Sequence, residues 1–244
     1  MARVNRAKVS IGFLHPGEYA HCFAESLQDV LLNDLSGPAR TAHPFGKLGK
    51  ECGSGGIVDG RNQLAKIMCD DSPAEWLFMV DSDMGFAADT LERLLATAHP
   101  KGRPIVGALC FANKTDGKAS HYGVRYRACP TLYQWRDDGE RVGFVPMLDY
   151  PRNQVVPVAA TGGACVLIHR SVFEQVRAKY GDVWFDPITH PTGTKFSEDL
   201  SFCIRAAACD FPIVVDTSVK TTHDKGAVFL DEEFYDRQER NRAA

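Results

Sequence analysis

The sequence predicts one α/β domain built on a doubly wound, mainly parallel sheet, and three observations carry that prediction. Short apolar runs without polar alternation recur at residues 9–14, 76–80, 105–110, 165–168 and 213–215. Such runs suit strands buried on both faces by helices. Segments with helical spacing separate the early runs, giving a β-α-(β)-α-β-α-β order. Third, side chains able to do chemistry collect where the apolar runs end, and open α/β sheets bind their ligands at the carboxyl ends of strands.

Residues 9–14 read as the first strand, followed by the turn His15-Pro16-Gly17. Tyr19, Phe23, Leu27, Val30 and Leu31 then repeat with helical spacing to about Asn33, and Ser36-Gly37-Pro38 stops the helix. Residues 38–56 are rich in Gly, Pro and Lys and read as irregular, with room for one short strand. Gly53-Ser54-Gly55-Gly56 there is a connector: the dinucleotide pattern would need glycine where Val58 stands, and no Walker Gly-Lys-Ser/Thr follows. Asp59 is placed to cap a helix over residues 60–69 with Leu64, Ile67 and Met68 inward. Arg61 in its first turn works against the helix dipole, which suits a residue facing an anionic ligand or a merely solvated one.

Trp76-Leu77-Phe78-Met79-Val80 runs straight into Asp81-Ser82-Asp83. In extended chain the two carboxylates point to one side, with Cα atoms ~6–7 Å apart, and can serve two parts of one ligand–metal complex. Asp89-Thr90-Leu91-Glu92 reads as a capping box for a helix to about His99, ahead of Pro100 and a strand over residues 104–111. Residues 111–158 interleave Asn113, Lys114, Arg125, Arg127, Arg136 and Arg141 with Tyr122, Tyr126, Tyr133 and Trp135. Short antiparallel hairpins fit this stretch, either as a surface that seats an acceptor by stacking and charge or as a solvated sheet edge. Thr161-Gly162-Gly163-Ala164 leads into a strand at residues 165–168, and Ser171-Val172-Phe173-Glu174 reads as a second capping box for a helix ending near Tyr180-Gly181. Ser197 is placed as N-cap of a helix that opens with Glu198-Asp199. A last buried strand covers residues 213–216, His223 comes after it, and residues 227–244 form a charged, partly helical tail. No repeat or linker divides the chain, so residues 1–244 are expected to form a single domain.

Composition narrows the function classes. A chain of 244 residues with 44% hydrophobic and 24% charged residues can bury one substantial core. A formal net charge of −3 gives no global pull toward nucleic acid or an anionic membrane. No apolar run approaches the ~20 residues of a membrane span, so no integral membrane contact is expected, and the cysteine usage points to a cytoplasmic location. The eight cysteines include no CxxC pair and are expected to be reduced, mostly core residues.

The ordered set Arg61-Asn62, Asp81-Ser82-Asp83, Thr161-Gly162-Gly163-Ala164, Ser197-Glu198-Asp199-Leu200 and His223 resembles nucleotide-sugar glycosyltransferases of the GT-A fold, most closely small members of the inverting family 2 group. The match runs over roughly residues 8–226. The resemblance implies a Rossmann-like three-layer sandwich with a small antiparallel acceptor-side region at residues 111–158. It implies a nucleoside-diphosphate sugar donor, a UDP-sugar first, and Mn²⁺ or Mg²⁺ held by Asp83 and His223 with help from Asp81, which alternatively holds the ribose. It makes Asp199 the general base and Glu198 its orienting neighbour, and places the nucleotide near Asp59, Arg61, His15 and Pro16. The relatives' turn after the first strand is commonly of Pro-Thr type, whereas this chain has His-Pro-Gly, which loosens any inference about the base. An acceptor glycan, protein or modified nucleobase fits equally. Three other readings differ in chemistry: a haloacid-dehalogenase-type phosphatase, disfavoured by Gly85 two residues after Asp83, a sugar-1-phosphate nucleotidyltransferase, and a non-catalytic binding module on the same fold.

Overall fold

The computed structural model describes residues 9–37, 41–43, 49–51, 56–114, 126–139 and 142–243. Gly53-Ser54-Gly55, Tyr122, Arg125 and Arg141, all singled out from the sequence, lie outside the described residues.

The apolar runs become the strands of a mixed central sheet. β1 (Val9–His15) pairs in parallel with β4 (Trp76–Val80) and, on its other side, with the short β2 (Thr41–His43) and β3 (Gly49–Glu51). β13 (Cys165–His169) lies between β4 and β6 (Ile105–Leu109) and runs antiparallel to both. β14 (Ile213–Asp224) pairs in parallel with β6, and β11 (Val155–Val158) closes that edge antiparallel to β14. Two antiparallel steps at β13 restore direction, so β1, β4, β6 and β14 all point the same way. Their C-terminal ends and the entrance to β13 therefore share one rim.

Alternation along β4 shows why the sheet needs cover on both sides. Trp76, Phe78 and Val80 face α1 (His21–Ser36), through Phe23, Leu27, Val30 and Leu31, and α3 (Thr90–Thr97), through Leu91 and Leu94. Leu77 and Met79 face α2 (Gly56–Asp70), α4 (Arg170–Tyr180) and α5 (Glu198–Ala207), through Leu64, Met68, Phe173 and Phe202. This is a three-layer α/β sandwich, as the resemblance implies.

Several local expectations need correction. α2 starts at Gly56, so Asp59 sits inside its first turn and its carboxylate accepts a hydrogen bond from Gln63. Asp89 precedes α3 without making a side-chain cap, and neither does Ser197 before α5. α4 is capped by His169, whose Nδ1 accepts from the Ser171 amide, because β13 enters the helix with no loop between them. β14 extends to Asp224, so His223 lies on a strand and not after one.

The described parts of residues 111–158 do form short antiparallel pieces. β7 (Phe111–Asn113) pairs with β8 (Ala128–Pro130), and β9 (Leu132–Asp137) pairs with β10 (Val142–Pro146) and with β12 (Ala160–Thr161). The charged tail is a docked helix, α6 (Glu232–Ala243), whose Tyr235 enters a third apolar cluster with Phe111, Leu132 and Tyr150. The seven described cysteines are free thiols, four of them buried. No helix among the described residues is long and apolar enough to cross a membrane.

Candidate functional site

The rim gathers side chains from distant parts of the chain into two adjoining groups. The first centres on Asp83. β14 leaves β6 beyond Lys220 and pairs with β5 (Met84–Phe86) and β15 (Phe229–Leu230), which carries His223 over the turn after β4. That pairing is tight enough that a Cβ on Gly85 would run into Thr222 Oγ1. Asp83 Oδ2 lies 3.0 Å from His223 Nε2 and 2.8 Å from Lys225 Nζ. His223 Nδ1 lies 2.8 Å from the Phe111 carbonyl oxygen, to which it donates, so Nε2 is the nitrogen presented to Asp83. Burial works against the Asp83 charge, but the hydrogen bonds and positive charge of His223 and Lys225 hold its pKa down at about 2.

Backbone contacts fix the turn itself. The Asp81 amide donates to the Ala164 carbonyl, the Ala20 amide to the Ser82 carbonyl and the Asp224 amide to the Asp83 carbonyl. The Asp81-Ser82-Asp83 loop is thus tied to the Gly-Gly segment, to the entrance of α1 and to the end of β14.

The second group centres on Arg61. Its Nη2 donates to Asp81 Oδ1 at 2.9 Å, its Nη1 to Glu198 Oε1 at 3.2 Å, and Nη1 also contacts Asp199 Oδ1. Glu198 and Asp199 reach it from the first turn of α5. Gly163 is where the chain passes directly behind this ion pair: a Cβ there would stand 2.6 Å from Asp199 Oδ1 and 2.8 Å from Arg61 Nη1. The glycine in Thr161-Gly162-Gly163-Ala164 is required by that close approach.

The expected site residues are therefore not all neighbours. Asp83 meets His223, and Asp81, Glu198 and Asp199 meet on one guanidinium. Arg61 does not face an anionic ligand: its side chain is 1% exposed and both terminal nitrogens are spent on carboxylates. Asp59, two residues earlier, is exposed and about 200° around the helix from Arg61, so the two do not serve one ligand. His15 lies at the carboxyl end of β1, its Nδ1 accepting from the Gly17 amide, with Pro16 exposed beside it. Two contributors were not anticipated from the sequence, Lys225 and the Phe111 carbonyl. Lys225 lies only two residues beyond His223, a proximity that could have flagged it; a backbone carbonyl leaves no signal in side-chain type.

Asp83 and His223 suit an oxygen-seeking divalent ion. Adjacent ligands on an octahedral ion with bonds of ~2.1 Å lie about 3 Å apart, as Asp83 Oδ2 and His223 Nε2 do. The Phe111 contact fixes the imidazole as a metal-ligating histidine requires. An ion entering there competes with Lys225 for Oδ2. No group of three or more His, Cys, Asp or Glu suited to a metal occurs among the described residues. Two protein ligands with the remainder from phosphate and water is a usual arrangement for Mg²⁺ bound with a phosphate-bearing substrate.

No family model matches the sequence, and no curated protein matches it. Solved structures do. A197 from STIV superposes with a TM-score of 0.55 at 12% identity, over 93% of this chain and 91% of that one. GalNAc-T7, determined with UDP, GalNAc and Mn²⁺, superposes with a TM-score of 0.57 at 13% identity, over 90% of this chain. This chain spans only 44% of that one's length. At such identities the likeness speaks for architecture alone, and that architecture is a GT-A-like fold.

Proposed function

We propose that this chain is a divalent-metal-dependent glycosyltransferase that moves a sugar from a nucleoside-diphosphate sugar, a UDP-sugar in the first instance, to an acceptor hydroxyl with inversion at the anomeric carbon. The observation that carries the reading is the meeting of Asp83 and His223, 140 residues apart, at 3.0 Å on the rim that also presents Glu198 and Asp199. The GalNAc-T7 structure, solved with UDP and Mn²⁺ on a related fold, supports it.

In this reading Asp83 and His223 hold Mn²⁺ or Mg²⁺, and the ion supplies charge stabilisation to the departing diphosphate. Asp81 holds the ribose side of the donor, and His15 and Pro16 border the nucleotide. Asp199 takes the proton from the acceptor hydroxyl. The oxygen engaged by Arg61 is Oδ1, which leaves Oδ2 as the accepting atom. Glu198, on the same guanidinium, orients that carboxylate. General-base assistance contributes typically ~10²–10⁴-fold, and fixing two reactants in line supplies a comparable or larger factor. Glycan, protein and modified-nucleobase acceptors all supply the hydroxyl this chemistry needs.

The test is a panel of nucleotide sugars with Mn²⁺, scored for donor hydrolysis, transfer and thermal stabilisation. Asp199→Asn should keep donor affinity while lowering kcat by about 10³-fold or more; turnover near the wild-type rate removes Asp199 as the base. Asp83→Ala should abolish the Mn²⁺-dependent part of UDP binding in calorimetry, and an unchanged metal dependence would refute the proposed ion site. Pyrophosphate release from a nucleoside triphosphate and sugar phosphate would instead establish nucleotidyl transfer.

A further inference from the structure

We infer that Arg61 is the positioning residue of this site: one buried guanidinium sets the donor-side carboxylate Asp81 and the acceptor-side pair Glu198 and Asp199 in a common frame. The activity readout of this inference rests on the transferase reading above, while the structural readout does not.

The geometry is specific to arginine. Nη2 engages Asp81 Oδ1 at 2.9 Å, at the end of β4, and Nη1 engages Glu198 Oε1 at 3.2 Å and Asp199 Oδ1, at the start of α5. A planar fork directs its terminal nitrogens to different partners at once, whereas a lysine offers one compact charge. The Arg61 guanidinium carbon lies 6.0 Å from the centroid of the Phe185 ring, and the Gly163 backbone closes against the guanidinium from a further segment. With 1% exposure Arg61 has no surface for either substrate, so it acts only through the carboxylates. Three carboxylates drawn together without it would repel one another and spread.

The experiment compares the full chain with Arg61→Met and Arg61→Lys. Arg205→Met is the control, a second buried arginine that donates to the Trp184 and Asp186 carbonyls. Amide hydrogen exchange, calorimetry of UDP with Mn²⁺ and steady-state transfer are measured on each. Arg61→Met should raise exchange together at residues 81–84 and 198–201, a coordinated change that Arg205→Met does not reproduce. It should weaken Mn²⁺-dependent UDP binding only moderately, by less than about tenfold through the loosened Asp81, while kcat at saturating donor falls about 100-fold, as expected when reacting groups are misplaced by about 1 Å. Arg61→Lys should recover part of kcat, about tenfold over Arg61→Met, and not the wild-type value. Loss of UDP affinity with kcat preserved would make Arg61 a donor ligand and overturn the inference; so would unchanged exchange and unchanged kcat. If the wild-type chain turns over no nucleotide sugar, the transferase reading fails on its own and exchange decides the rest: coupled loosening of both segments upholds the positioning role, and loosening confined to α2 overturns it. If Arg61→Met does not fold, Arg61→Lys decides, since wild-type exchange and kcat in that variant would overturn the inference.

Discussion

A carboxylate shared by an imidazole and an ammonium resists protonation, and Asp83 is held near pKa 2 against an ordinary 3.8. The sign follows directly. A depressed folded-state pKa contributes stability that is fully present above 3.8 and is lost as pH falls through about 2. The side chain is 38% exposed, so solvent screening reduces the contribution to on the order of 1 kcal/mol. Urea denaturation in the presence of chelator should therefore show wild type and Asp83→Asn converging between pH 4 and pH 2; a stability gap that stays constant across that window would contradict the depressed pKa. Arg61 illustrates the opposite side of residue-scale reading. An arginine at the helix start that the sequence predicts was odd on its face, but its partners, Asp81, Glu198 and Asp199, lie 20 or more residues away. Only the fold shows that they are carboxylates of the site and not a substrate.

At the scale of elements, α6 is fastened to the molecule in a way that bears on His223. Tyr235 is 4% exposed, its ring lies 5.4 Å from Phe111, and its hydroxyl donates to the Leu148 carbonyl. Gln238 completes the docking, accepting from the Ala128 amide and donating to its carbonyl as a neighbouring strand would. Phe111 in turn supplies the carbonyl that orients His223. Tyr235→Ala should cost about 3 kcal/mol in chemical denaturation, by loss of buried ring and the space left behind. A smaller loss of Mn²⁺ affinity should accompany it, because Phe111 loses its support. A cost below about 1 kcal/mol would mean that α6 is only loosely seated. The element boundaries show where sequence reading stopped. Trp76-Leu77-Phe78-Met79-Val80 is a strand because five apolar residues can be buried on two faces. The run at residues 165–168 looks the same whichever way it points, so its antiparallel direction was not legible. The His169 cap was hidden because histidine is an uncommon cap and the Ser-x-x-Glu pattern two residues on offered a better-known one.

Across the whole molecule, what was legible is the order of chemical groups at strand ends. Parallel strands bring their C-terminal ends to one side, so acids and a histidine placed after or near the ends of such strands are bound to converge. What was not legible is which of them share a partner: the split into an Asp83–His223–Lys225 group and an Arg61-centred group depends on side-chain reach across packed elements. β6 and β13 are immediate antiparallel neighbours, with Gly107 opposite Val166. Among the described residues, the stretch between them, 110–164, gives the central sheet only the edge strand β11 before the chain re-enters at β13. In topological terms that stretch is one oversized hairpin loop hung from a finished scaffold. Because doubling a loop's length costs only about 0.6 kcal/mol in closure entropy, the middle of that stretch is thermodynamically free to change length, whereas its two ends, Phe111 and Gly163-Ala164, touch the site and are not.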